Sequence, residues 1–181
     1  MAMGEEVGVL FLEKSAFALG LNEPVSDWWC RESFAMCVLR IVSPSCSFRD
    51  RPELEMLPVV DICEKGDARF GKSRRPASQF SVTVEVSNAE WDELPSQFDD
   101  ACEFLQNYWE ELRSLLDLVA DGKGCLDFPC WSRLSEGVLM QSDVLPANLI
   151  SLAGRLGLEI ELSCYQKSFF DEVDEPDKNF D

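Results

Sequence analysis

Residues 79–86 read Gln-Phe-Ser-Val-Thr-Val-Glu-Val. Phe80, Val82, Val84 and Val86 fall on one side and Ser81, Thr83 and Glu85 on the other, the period-two pattern of a half-buried strand. The rhythm then lengthens. Phe98, Cys102, Leu105, Trp109, Leu112, Leu116 and Val119 recur at three- and four-residue steps and draw one apolar stripe along a long helix. Ser96 can cap its start, with Asp99 three residues on, and Gly122 can end it. A half-buried strand feeding a long amphipathic helix is a strand-and-helix unit, and the rest of the chain is read outward from it.

Upstream, Phe34 to Val42 reads as a strand with Met36, Val38 and Arg40 on one face and Cys37, Leu39 and Ile41 on the other. Apolar residues on both faces mark an internal strand. Pro44 ends it, and Arg51 to Leu57 has room for one or two helical turns before Pro58. Asp61 to Ser78 holds glycines, charges and Pro76 and reads as a loop. Downstream, Gly124 to Trp131 reads as a strand with Leu126, Phe128 and Cys130 on one face. Ser142 or Asp143 can cap a second helix whose apolar face is Leu145, Leu149, Leu152 and Leu156, with Gly157 as its stop. Glu159 to Tyr165 is the last strand. The expected organisation is an N-terminal appendage over 1–33, a single α+β domain over 34–165 and an acidic tail over 166–181. The order strand, strand, helix, strand, helix, strand predicts a mostly antiparallel sheet of four or more strands with two main helices packed on one face.

Composition narrows the function. The chain has 181 residues, 46% of them hydrophobic, and a net charge of −18. Such a field repels nucleic-acid phosphates and anionic membrane surfaces and attracts basic surfaces. There is no histidine, which removes the usual acid–base residue near neutral pH and the His-based triads and zinc sites. Gly-x-Ser-x-Gly and Ser-x-x-Lys elements are also missing, so no enzyme activity is expected. The eight cysteines include no C-x-x-C pair. The stretch from Met1 to Glu6 lacks a basic leader region, and the apolar run Val7 to Leu12 is too short for a secretory one. No run approaches the roughly 20 apolar residues of a membrane helix. The expectation is therefore a cytoplasmic protein with reduced thiols, no membrane contact, no metal and no cofactor.

The chain resembles a bacterial family known as domain of unknown function 4279. The resemblance runs from about Phe34 to Tyr165. It rests on the loop Gly66-Asp67-Ala68-Arg69, the half-buried strand opening near Phe80, the leucine-rich helix Phe98 to Val119, the turn Leu156-Gly157-Leu158 and the closing strand Ile160 to Tyr165. The chain departs from the family in its N-terminal segment, its acidic tail and the lack of a Trp after the basic loop. The resemblance implies no established activity. Members look like small cytosolic proteins, and some resemble immunity proteins encoded beside bacterial toxins.

Three constellations are candidates for binding. The first is the loop Lys65, Arg69, Lys72, Arg74 and Arg75, where an anion could meet glycine N–H groups. Alternatively, Gly66, Asp67 and Arg69 are structural, with an Asp67–Arg69 bond holding the loop. The second is an acidic stripe: at 100° per residue, Asp99, Glu103, Glu110 and Asp117 fall within about 40° of one another on the long helix. Arg113 lies beside it. The third is the pair Trp28 and Trp29, which cannot both enter one layer of a strand, so one is available to a partner. The acidic stripe points to a basic protein partner, and the family resemblance implies the kind: an immunity or antitoxin-like inhibitor that occludes a basic toxin or effector. The alternatives are a general interaction or small-ligand-binding module, or a phage-encoded inhibitor that mimics DNA charge.

Overall fold

The structure is a computed structural model that describes residues 37–68, 76–119, 122–134 and 139–166. Its strands are β1 (Cys37–Ser43), β2 (Val59–Cys63), β3 (Phe80–Ser87), β4 (Lys123–Trp131) and β5 (Glu159–Tyr165). Its helices are α1 (Leu94–Asn107), α2 (Trp109–Leu118) and α3 (Ala147–Leu156), with a 3₁₀ turn at Pro52–Leu54. The strands form one sheet in the order β2-β3-β1-β4-β5. The pairings β1–β3, β1–β4 and β2–β3 are antiparallel. Among the described strands only the pair β4–β5 is parallel, because the chain returns to the same end of the sheet through α3 before starting β5. The fold is α+β with a mostly antiparallel sheet.

One parity of each strand feeds the core. Cys37, Leu39 and Ile41 of β1, Val82, Val84 and Val86 of β3, and Leu126, Phe128 and Cys130 of β4 cluster with Phe98, Leu105, Leu112, Leu149 and Ala153 from the helices. Phe98 and Phe128 meet edge to face at 5.0 Å between ring centres. Gly122 sits where β4 begins, and its place follows from crowding: a Cβ there would meet the Val42 carbonyl oxygen at 2.5 Å and that of Val119 at 2.9 Å. Gly157 takes the left-handed conformation (φ 71°) that ends α3.

Three elements differ from the sequence reading. Val59–Cys63 is a strand where a loop was expected from Asp61. It is short, follows Pro58 and pairs only with β3 at the sheet edge, so it lacks the alternation of a strand with one buried face. The long helix is two: Tyr108 (φ −110°, ψ 26°) leaves the helical region. Its N–H still bonds Phe104 O, and the rings of Phe104 and Tyr108 lie 5.0 Å apart. Past this break the buried face shifts to Leu112, Leu115 and Val119, leaving Leu116 and Trp109 half-buried. The caps differ as well. α1 begins at Leu94 with Pro95 in its first turn, and neither Ser96 nor Asp143 caps a helix; α3 starts at Ala147 after Pro146. Proline's fixed φ and missing N–H suit a helix start.

Candidate functional site

The outward surface of α1 and α2 carries the predicted carboxylates. Asp99 and Glu103 lie on α1, and Glu110 and Asp117 on α2. All four are exposed, and none is in an ion pair among the described residues. The break at Tyr108 divides the stripe into two pairs, because the 100° step that aligned it assumes one continuous helix.

Asp117 belongs to a different neighbourhood. With Trp109, Arg113, Leu116, Arg155 and Leu156 it lines a groove of about 420 Å³ between α2 and α3. A smaller hollow of about 240 Å³ continues past Trp109 and Arg155 to Gln106 and Leu152. The Arg155 guanidinium carbon lies 4.4 Å from the centre of the Trp109 ring, a cation–π contact. Neither Arg113 nor Arg155 is in an ion pair among the described residues. In a chain of net charge −18, a groove lined by two guanidiniums and the single Asp117 carboxylate carries a small local excess of positive charge.

The sheet face opposite the core holds a polar network the sequence reading missed. Arg40 on β1 pairs with Asp127 on β4 at 3.6 Å. Ser163 Oγ donates to Asp127 Oδ1 at 2.6 Å. Glu161 lies beside Asp127 in the parallel register. Burial pushes the Glu161 carboxyl above the usual range, and the Asp127 charge adds to it. Burial, reinforced by Glu161 and Asp127, drives the Cys125 thiol up to about 12. The same two causes, burial first and Asp127 next, raise the Tyr165 phenol. At the end of this face Trp91 packs on Trp131 at 4.5 Å and on Tyr165 at 5.1 Å.

The Gly66-Asp67 turn is tied by the backbone. Asp67 Oδ2 accepts the Glu64 N–H at 2.9 Å, and Gly66 N donates to Ala77 O at 2.8 Å. Gly66 has φ 95°, where a side chain is disfavoured. Arg69, Lys72, Arg74 and Arg75 lie outside the described residues, as do Trp28 and Trp29. Among the described residues no group of three or more Cys, Asp or Glu is placed to hold a metal ion. No described helix is long and apolar enough to cross a membrane.

No family model matches this chain, and neither does any curated protein or solved structure.

Proposed function

We propose that the chain is a non-enzymatic, cytoplasmic protein-binding inhibitor, an immunity (antitoxin-like) protein that neutralises a cognate bacterial toxin by occluding its active surface. The observation that carries this reading is the set of exposed carboxylates on α1 and α2, Asp99, Glu103 and Glu110, which have no ion-pair partner among the described residues. Unpaired surface charge of one sign speeds encounter with a surface of the other sign and rejects like-charged partners. The resemblance to the domain of unknown function 4279 family supports the same reading.

The test is genetic and then biochemical. Each gene flanking the coding sequence is expressed alone and together with this chain. Growth arrest by one product, relieved by co-expression and accompanied by a purified complex, is the expected result. If no flanking product is toxic, or if relief occurs without a complex, the inhibitor reading fails.

A second reading, a small-ligand or peptide module, is favoured by the groove of Trp109, Arg113 and Arg155. Its two guanidiniums and apolar walls suit an anion with an apolar part. It separates from the first by location: Arg155→Ala would abolish binding, whereas charge reversal at Glu103 would not.

A further inference from the structure

Cys130 and Cys164 occupy matched positions on neighbouring parallel strands, and their Sγ atoms lie 3.2 Å apart. Adjacent strands run about 4.7–4.9 Å apart, inside the Cα separation that a disulfide spans. Forming the bond therefore requires only side-chain rotation, not a backbone shift. The two thiols differ in access. Cys130 is 2% exposed, whereas Cys164 faces solvent. The Gln141 side-chain amide also reaches Cys164 Sγ, at 3.9 Å.

We propose that Cys130 and Cys164 form an oxidative modification site, a peroxide-sensitive dithiol that clips β5 to β4. Hydrogen peroxide is the oxidant. The Cys164 sulfur attacks one peroxide oxygen, the O–O bond breaks, and water leaves as Cys164 becomes a sulfenic acid. The Cys130 sulfur then attacks Cys164 Sγ. The S–O bond breaks, and the departing hydroxide takes the Cys130 proton to leave as a second water. Two thiols and one peroxide thus give one disulfide and two waters, a two-electron oxidation that a small dithiol reverses by exchange. Access makes Cys164 the attacking residue. Burial, followed by the contact with Cys164, pushes the Cys130 thiol up to about 12, which keeps Cys130 protonated until its neighbour is oxidised.

The structural consequence falls on β5. That strand is at the edge of the sheet, with β4 as its sheet neighbour. A covalent link at Cys130–Cys164 would hold it next to the Trp131–Tyr165 end of the face.

The experiment uses the full chain, reduced, freed of reductant and exposed to a small excess of hydrogen peroxide. Remaining thiols are alkylated and peptides are mapped by mass spectrometry. The expected product is a single Cys130–Cys164 cross-link, lighter by two hydrogens, with slower amide exchange in β5. Cys130→Ser should instead accumulate a dimedone-reactive sulfenic acid at Cys164. Cys130 is a core residue, so Cys164→Ser, at an exposed position, provides the second arm: it should fold normally and show neither cross-link nor dimedone adduct at Cys130. Cross-links among other cysteines, an adduct on Cys130 in the Cys164→Ser protein, or full alkylation of both thiols after peroxide would each overturn the proposal.

Discussion

The buried side-chain amide of Gln97 donates to the main-chain carbonyl of Pro129 at 3.1 Å, and also to that of Glu90 at 3.1 Å. One polar side chain with no exposed surface thereby joins α1, the loop before it and β4. Gln97→Leu keeps the volume and removes the donor from both carbonyls. A loss of up to about 1–3 kcal/mol is expected, since the buried Pro129 carbonyl is stripped of its donor, offset in part by removal of Gln97 Oε1, which is buried without a partner among the described residues. Urea denaturation checks it, and a change below a few tenths of a kcal/mol would mean that the carbonyls find other donors.

The break at Tyr108 separates two residues that the helical stripe treats as equivalent. Leu105 is fully buried, and Trp109 is half-buried at the groove rim. Leu105→Ala should therefore cost about 3–5 kcal/mol, in the range of well-packed core leucines. Trp109→Ala should cost clearly less, because part of its ring is already in water. Equal losses would show that the ring is held as tightly as the core.

Glu161 introduces a pH dependence with a definite sign. Its folded-state carboxyl is raised, first by burial and then by Asp127. The folded state thus binds a proton more tightly than the unfolded state does. The contribution of Glu161 to stability should fall as pH rises from the ordinary glutamate value of about 4.3 through the folded value, and then level off. Glu161→Gln removes the buried charge, so it should stabilise the protein near neutrality and have little effect near pH ~4. Chemical denaturation at both pH values decides it; a variant less stable at neutral pH would show that the contacts of the Glu161 carboxylate outweigh its desolvation.

Reversal of two carboxylates tests the inhibitor reading. Glu103→Lys with Glu110→Lys should leave the fold intact, since both side chains are exposed. With the toxin identified from the flanking genes, the double variant should slow association several-fold or more and flatten its salt dependence, with dissociation little changed. Stopped-flow mixing at low and high salt measures both. Unchanged rates would leave the carboxylates as a solvated face.

Much of the fold is legible in local pattern. Strands β3, β4 and β5 announce themselves because alternation reports which side of a strand is buried, β1 because a run apolar on both faces suits an internal strand, and Gly157 marks the end of α3 because a left-handed residue favours glycine. The exposure of Asp99, Glu103, Glu110 and Asp117 is equally local, since charged side chains pay too much to be buried unpaired. Everything that depends on distant segments meeting needed the tertiary structure. The edge strand Val59–Cys63 exists through its pairing with β3, not through a pattern of its own. The turn of the buried face follows from the break between α1 and α2 at Tyr108, which the unbroken apolar spacing does not signal. The Trp109–Arg155 contact, the Arg40–Asp127 network and the Cys130–Cys164 pair each join residues far apart in sequence. Strand register and helix placement decide such meetings, and a local period carries no information about either.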